Sequence, residues 1–375
     1  MGFRSETRVM TRRAFHVLTL VIFLYLFLVS IRLLGIGFKM FGGGFAAQLI
    51  ATTSNPFVGL FIGILATSLV QSSSTTTCTV VGFVASGLLS IQNAVPIIMG
   101  ANIGTTVTST FVSLGHITRR EEFRRAMAAA TVHDFFNVLA VMILFPIELA
   151  TGVLQHLAQG LSEILVGKEG LAFASPVKRI VAPAAEQVVS LAVRLTPRHA
   201  AFMVAVFAVF LLIVSLFYIV KRTKKLALSR AEAILDRLIG KSGIAAIALG
   251  CCVTAVIQSS SVTTSLMVPL AGAGIARLDQ IFPITLGANI GTTVTALLAS
   301  LAGDAAGLTI ALVHLFFNVF GILLVYPFRP IRRVPMAMAT RLANAAARSK
   351  RYAVLFIIGM FYVVPLFLIF FSRLF

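Results

Sequence analysis

The chain has 375 residues, of which 58% are hydrophobic and only 11% charged, and its mean hydropathy is +1.00. These values exclude a soluble globular protein and are typical of a chain that crosses a membrane many times. The net charge of +19 would indicate a nucleic-acid partner in a soluble protein. Here the basic residues lie in short clusters between apolar segments, as in cytoplasmic loops, so we expect a lipid bilayer and no nucleic acid as partner.

Seven apolar stretches are long enough to cross a bilayer, which takes roughly 20 residues. The first follows a basic N-terminus and has no small-residue cleavage site, so we interpret it as a retained helix and not as a signal peptide. The sequence therefore predicts an all-α polytopic membrane protein. The predicted spans are 14–35, 92–115, 126–147, 199–220, 280–302, 306–327 and 353–373.

Two further apolar stretches, 56–90 and 243–276, are each interrupted in the middle by the tetrapeptide Gln-Ser-Ser-Ser. Each half is near the short end for a complete crossing. Non-helical backbone is tolerated at membrane depth only inside protein or beside a wet cavity. We therefore predict two re-entrant helical hairpins with the tetrapeptide at each tip, and two full crossings for each stretch are the alternative.

The two hairpins belong to an internal duplication. Gln71–Ser74 is followed by Gly-Ala-Asn-Ile-Gly-Thr-Thr at Gly100–Thr106, and Gln258–Ser261 is followed by the same heptapeptide at Gly287–Thr293. Both motifs recur 187 residues later, and the two 36-residue units that they bound share 17 identical positions. A duplication inside an apolar chain is typical of transporters built from two repeats with discontinuous transmembrane helices.

The positions of the basic residues predict that the two repeats are inverted. Four arginines lie between 119 and 125, after the first heptapeptide, whereas the equivalent loop near 303–307 has no basic residue. Equivalent loops of opposite charge lie on opposite faces of a membrane. Segment 148–198 contains several basic residues, which conflicts mildly with an external position. We still predict that it is external, because the charges of long loops influence topology less than those of short loops. With a cytoplasmic N-terminus, the sequence divides into repeat 1 over 1–147, an external loop over 148–198, repeat 2 over 199–328, and a cytoplasmic basic segment with a C-terminal helix over 329–375.

The duplicated motifs concentrate neutral side-chain oxygens in an apolar chain. At a hairpin turn, freed carbonyls can coordinate Na+, and the N-terminus of the next helix offers N–H groups to an anion. Hydroxyl groups serve both, since they donate and accept. The alternative is that they only bond to the backbone of a kinked helix, and two copies in register argue against it. The predicted substrate- and sodium-binding residues are Gln71, Ser72, Ser73, Ser74, Thr76, Thr77, Asn102, Thr105, Thr106, Gln258, Ser259, Ser260, Ser261, Thr263, Thr264, Asn289, Thr292 and Thr293.

The glycines of the heptapeptides have two interpretations of equal weight. They allow unwound backbone close to a ligand, and their Gly-X-X-X-Gly spacing is also a helix-packing pattern. One absence constrains the ligand: repeat 1 has no Lys or Arg within or between its two motifs, and repeat 2 has only Arg277. An oxyanion would be held by N–H groups, hydroxyls and bound cations, so its affinity would depend on Na+.

A third repeated element places His133 and Asn137 in repeat 1 and His314 and Asn318 in repeat 2. Residues at i and i+4 share one helix face. We interpret these four residues as lying behind the binding site, where they either lock the helix to its neighbours or take a proton-linked role. A hydrolase that uses Ser72, His133 and Asp134 is rejected, because adjacent residues point in different directions on a helix and no nucleophile elbow is present. We therefore predict that the protein is not an enzyme, and we expect no catalytic residue, no cofactor and no metal other than Na+.

These residues resemble the type II sodium–phosphate cotransporter family. The resemblance covers nearly the whole chain, and the family implies an inverted-repeat fold with phosphate and Na+ bound near the two hairpin tips. It rests on Gln71-Ser-Ser-Ser, Pro96-Ile-Ile-Met-Gly-Ala-Asn-Ile-Gly-Thr-Thr, Glu122-Phe-Arg-Arg-Ala, Thr131-Val-His-Asp-Phe-Phe-Asn, Pro146-Ile-Glu and the second repeat as far as Tyr326-Pro327.

The family resemblance implies Na+-coupled symport of inorganic phosphate across the cytoplasmic membrane, with Na+ as the coupling ion. Segment 148–198 lacks the cysteines of the animal members, which indicates a compact bacterial-type protein. The alternatives are a phosphate exporter, a carrier of another oxyanion such as sulfate or arsenate, and a membrane sensor that does not transport. A homodimer is neither required nor excluded by the sequence.

Overall fold

The structure is a computed structural model that describes residues 2–166, 176–238 and 242–372. Within these residues the chain forms seventeen α-helices joined mostly by short turns. The helices are α1 Gly2–Lys39, α2 Gly43–Thr53, α3 Pro56–Val70, α4 Ser73–Ala85, α5 Ile91–Gly104, α6 Val107–Ser113, α7 Arg120–Thr151, α8 Val153–Val166, α9 Pro176–Leu195, α10 Ala200–Leu238, α11 Gly243–Ile257, α12 Ser260–Gly272, α13 Leu278–Ser300, α14 Ala305–Val325, α15 Arg329–Arg348, α16 Arg351–Ile358 and α17 Val364–Phe371.

Seven helical segments of the described chain are long and apolar enough to cross a membrane, and each overlaps one predicted span. An eighth is obtained if α2 and α3, which meet at an angle of 100°, are counted together. The prediction of an all-α polytopic membrane protein is confirmed. The seven segments are Phe15–Lys39, Ile91–His116, Arg120–Thr151, Pro197–Lys224, Leu278–Ser300, Ala305–Val325 and Arg351–Phe371.

Two helix–turn–helix units occupy the predicted hairpin positions, α3–α4 in the first repeat and α11–α12 in the second. Their turns are only two residues long and consist of the Gln and the first Ser of each motif. Gln71 (φ 55°) and Gln258 (φ 63°) adopt the left-handed conformation and are the only non-glycine residues with positive φ in the described part of the chain. Such a conformation costs about 1 to 3 kcal/mol and is typical of functional sites.

Each hairpin packs its first helix against the heptapeptide helix of its own repeat, α3 on α5 and α11 on α13. The contact requires glycine, because a Cβ on Gly100 would overlap the carbonyl oxygen of Leu60 and a Cβ on Gly287 would overlap that of Ile247. The structure therefore shows the helix-packing role of these glycines directly.

The heptapeptide helices differ between the repeats. The predicted span 92–115 has a two-residue turn at Thr105 and Thr106 between α5 and α6, where the backbone stays in the right-handed helical region and the segment remains one span. Helix α13 runs through the equivalent threonines without a turn. The two heptapeptide regions therefore differ by one local irregularity, and the discontinuous transmembrane helices stay a prediction.

The segment 148–198, predicted as an external loop, contains two amphipathic helices. Helix α8 packs on α14, where Ser162 donates a hydrogen bond to the carbonyl of Ala305 (3.1 Å), and α9 packs on α1 and α10. The basic segment after 329 likewise contains α15, which packs on α7. A search for long apolar runs does not detect amphipathic helices, because only one face of each is apolar. The external position of 148–198, the cytoplasmic position of α15 and the inversion of the repeats stay predictions.

Candidate functional site

The two Gln-Ser-Ser-Ser turns meet at a single cavity of about 230 Å³. One wall consists of residues 70–75 and the opposite wall of residues 258–261. The rest comes from apolar side chains of α10 such as Leu216 and Phe217. The structure thus brings together two motifs that are 187 residues apart in the sequence. Neither Lys nor Arg lies among the described residues that line this cavity.

Each turn presents the N-terminus of a thirteen-residue helix to the cavity, α4 after Gln71 and α12 after Gln258. Ser72 caps α4 by accepting a hydrogen bond from the backbone N–H of Thr75 (3.2 Å), and Ser259 caps α12 in the same way through Val262 (3.4 Å). The other N–H groups of a first helical turn have no partner within the helix, and the helix dipole makes this end positive. Two such ends at one cavity favour an anion.

The two glutamines are held differently. The Gln258 side chain is buried, accepts a hydrogen bond from the Thr295 hydroxyl (2.8 Å) and donates to the carbonyl of Ala255. The Gln71 side chain is exposed and makes no hydrogen bond within the described residues. One tip is therefore tied to α13, while the other is free to turn toward a ligand.

Of the eighteen predicted binding residues, eight line the cavity, together with Thr75, which was not predicted. The other ten are buried away from it, and all eight threonines among them donate their hydroxyl hydrogen to a backbone carbonyl three or four residues earlier. Thr264, for example, donates to Ser260 (3.0 Å) and Thr292 to Ala288 (3.0 Å). The hydroxyl hydrogens of these threonines therefore bond to the helix backbone, as the alternative interpretation expects. Each hydroxyl oxygen can still accept a further hydrogen bond or bind a cation. The ten are Thr76, Thr77, Asn102, Thr105, Thr106, Thr263, Thr264, Asn289, Thr292 and Thr293.

The histidines of the third repeated element bond to the opposite repeat. His133 Nε2 lies 2.6 Å from Asn289 Oδ1, and His314 Nε2 lies 3.3 Å from Asn102 Oδ1. Each histidine therefore contacts the heptapeptide asparagine of the other half. Because an amide oxygen only accepts, each Nε2 carries the proton in these bonds.

A further pair of bonds joins the two asparagines through Asn137. The Asn289 amide donates to Asn137 Oδ1 (2.8 Å), and the Asn137 amide donates to the backbone carbonyl of Asn102 (2.7 Å). Asn318 has a different partner, since its amide donates to the carbonyl of His314 within α14 (3.1 Å). These contacts support the interpretation that the element locks the helices together.

Asp134 is a residue whose importance the sequence analysis missed. Its side chain is fully buried beside the turn between α5 and α6, where Thr110 donates to Oδ2 (3.4 Å) and Oδ1 has no partner. No ion pair of the described chain includes it. Asp134 is the only acidic residue within the seven predicted spans, a signal that was visible in the sequence but was weighed only for a hydrolase. The equivalent residue of the second repeat is Leu315.

Comparison with known proteins identifies the family of the chain. The sequence profile of the Na+/Pi-cotransporter family matches residues 26–171 and 211–340, which include both hairpins and both heptapeptides. The chain belongs to this family. The recognition made from the motifs is thereby confirmed, and the family is one of transporters, as the prediction of a non-enzyme requires.

Three curated members of the family illustrate the similarity. Sodium-dependent phosphate transport protein 2B of Homo sapiens is 34% identical over 437 residues, covering 92% of this chain and 63% of that protein. The 2A proteins of Rattus norvegicus and Oryctolagus cuniculus are 36% and 34% identical, covering 92% and 97% of this chain and 65% and 68% of those proteins. The chain thus spans about two thirds of the length of these relatives. No solved structure matches it.

Proposed function

We propose that the protein is a secondary transporter that couples Na+ to the symport of inorganic phosphate across the cytoplasmic membrane. The observation that carries this proposal is the cavity between the paired tips. Two helix N-termini and eight side chains of the Gln-Ser-Ser-Ser motifs face it, and none of its lining residues is Lys or Arg. Such a site suits a small oxyanion that is held by N–H groups and hydroxyls. The names of the curated relatives support phosphate as that anion.

The buried carboxylate of Asp134 supports coupling to a cation. A carboxylate without a positive partner is costly to keep in a membrane interior. Na+ is a hard cation that oxygen ligands suit, and the Thr110 hydroxyl lies beside the Asp134 carboxylate (3.4 Å). Since no described Lys or Arg lines the phosphate cavity, positive charge from Na+ would raise phosphate affinity, which is the basis of symport.

The energetics allow this coupling. Moving a divalent anion inward against 100 mV costs about 4.6 kcal/mol, at about 2.3 kcal/mol for each charge. Each Na+ returns about 2.3 kcal/mol from the voltage, and a tenfold Na+ gradient adds about 1.4 kcal/mol. Two Na+ balance the charge of divalent phosphate, and a third makes uptake strongly concentrative.

The test is uptake of radiolabelled phosphate into proteoliposomes under an inward Na+ gradient and then under an inward K+ gradient. We expect uptake with Na+ only, and a large loss in Ser260→Ala, because that residue begins α12 at the cavity. The matched control is Ser190→Ala, an exposed serine of α9 outside the cavity. Equal uptake in both gradients would contradict sodium coupling.

The same assay separates the alternative functions. Excess unlabelled sulfate or arsenate that abolishes phosphate uptake would indicate a different or broader oxyanion substrate. Vesicles loaded with phosphate test export, since a carrier runs in the direction of its gradients. Folded protein without transport in any gradient would favour the sensor.

A further inference from the structure

A second cavity, of about 150 Å³, lies at one end of the helix bundle, and none of the duplicated motifs reaches it. It is lined by α1, α4, α9 and the turn between α13 and α14 and is open on one side. Three of its lining residues are basic, Arg32, Lys39 and Lys178, and the Ser86 side chain adds a hydroxyl. Its described lining contains no acidic residue.

The environment of Arg32 indicates that this cavity binds a ligand. It lies within the membrane span of α1 and is half-buried, and its Nε is fully buried without a hydrogen-bond partner. The ion pairs found among the described residues involve other side chains. A cation without a partner in a membrane segment is costly and marks a functional position by default. The planar guanidinium presents N–H groups in the geometry that suits a phosphate group.

We infer that this cavity binds a phosphate group through Arg32, supported by Lys178 and Lys39. Its volume is several times the roughly 30 Å³ that one water molecule takes in the liquid, so a tetrahedral oxyanion fits. The phosphate group has two conceivable sources with the same chemistry, free inorganic phosphate and the headgroup of a lipid. The three positive charges without described acidic partners match either.

With free phosphate, the cavity is a capture site for the transported anion, a role that rests on the proposed function. The cavity lies where α1 ends and α9 begins, at the end of the bundle opposite the arginine cluster 119–125. The charge pattern predicts that the arginine cluster is cytoplasmic and that the end with the cavity is external. Its wall helix α4 begins at the paired tips with Ser73, about 20 Å away for thirteen residues at 1.5 Å each. A basic cavity at the mouth raises the local concentration of an anion and its rate of association.

The first test is the kinetics of phosphate uptake by the full chain in proteoliposomes. We expect Arg32→Gln to raise the KM for external phosphate about tenfold, with kcat within about twofold, and the difference to shrink at high salt. Lys178→Gln should act in the same direction and more weakly, and it serves if Arg32→Gln does not fold. The control Arg198→Gln removes the same charge from an exposed position at the same end of the bundle, outside the cavity. An unchanged KM in both cavity variants would overturn the capture role.

The second test measures binding without transport. In detergent, a thiol introduced by Ser86→Cys is alkylated, and labelling of that peptide is followed by mass spectrometry with and without inorganic phosphate or a short-chain phosphatidylglycerol. We expect phosphate to slow labelling several-fold in protein with Arg32 and to have no effect after Arg32→Gln. If only the lipid slows labelling, the site holds a headgroup and the capture role is wrong. If neither does, the inference is wrong. If the wild-type protein fails to transport phosphate while the Ser86→Cys protein shows protection that depends on Arg32, the proposed function is rejected and this site is retained.

Discussion

Gln71 and Gln258 occupy the same position of the duplicated motif and share a left-handed backbone, yet only Gln258 is tied to a neighbouring helix. The helices behind them differ as well. The first repeat has a short turn between α5 and α6 beside the buried Asp134, whereas the second repeat has a continuous α13 and Leu315 in the position equivalent to Asp134. The residues that line the shared cavity are present in both repeats, whereas the buried carboxylate occurs in the first repeat alone. We therefore propose an anion site that the two repeats share and a cation site that belongs to the first repeat.

The largest expected effect falls on a feature that the two repeats share. In both Gly100→Ala and Gly287→Ala, the new Cβ meets a backbone carbonyl that cannot move aside, at a cost of about 3 kcal/mol or more. We expect little folded protein from either variant, as judged by size-exclusion chromatography in detergent. The control is Gly160→Ala, where a Cβ meets nothing within 4 Å. Normal yield from one of the two would show that the packing is not equivalent.

The next effect should fall on the first repeat alone. Asp134→Asn keeps the shape of the side chain but removes its negative charge, so we expect the Na+ concentration for half-maximal uptake to rise about a hundredfold, near 2.7 kcal/mol. Glu163→Gln, an exposed acid on α8, should change nothing. Unaltered Na+ dependence in Asp134→Asn would place the coupling cation elsewhere.

Substitution of the two glutamines should affect different properties of the protein, uptake and stability for Gln258 and uptake alone for Gln71. Gln258→Ala leaves the buried Thr295 hydroxyl without its partner, so we expect lower uptake together with a loss of about 1 to 3 kcal/mol of stability. Gln71→Ala should lower uptake without lowering the thermal unfolding temperature, because its exposed side chain has no described bond. Both quantities can be measured on the same preparations. Equal destabilisation by the two variants would contradict the difference between the tips.

The smallest effect should come from a pair of threonines inside the hairpins. Thr254 donates to Thr263 across the second hairpin (2.8 Å), whereas the equivalent Thr67 hydroxyl is buried without a partner. We expect Thr254→Val to destabilise the protein by about 1 kcal/mol and Thr67→Val to be neutral or stabilising, since it removes an unsatisfied group. Thermal unfolding in detergent distinguishes the two outcomes. A loss of stability in Thr67→Val would indicate a partner for that hydroxyl.

Much of the fold was predictable, because membrane spans depend on local composition. Seven apolar runs and the polar interruptions at Gln71 and Gln258 were sufficient to place the spans and both helix–turn–helix units. Helices α8, α9 and α15 were missed because their apolar faces are narrow. The site was predictable in one respect, because the duplicated motifs implied that the two Gln-Ser-Ser-Ser turns lie together. The partner of each residue was not, since nothing in the local sequence indicates that His133 bonds to Asn289 and not to Asn102.

The bonds between the two halves have a consequence for how the chain is made. His133 is 156 positions ahead of Asn289, so at about 5 to 20 residues per second the ribosome needs roughly 10 to 30 seconds to reach it. During that interval His133 lacks its partner, and Asn137 Oδ1 lacks the Asn289 amide that donates to it. Exposing these polar side chains to the hydrocarbon of the bilayer would be costly in free energy. We expect the newly synthesised first half to stay in contact with the insertion machinery until the second half has been made. The two halves would then enter the bilayer together.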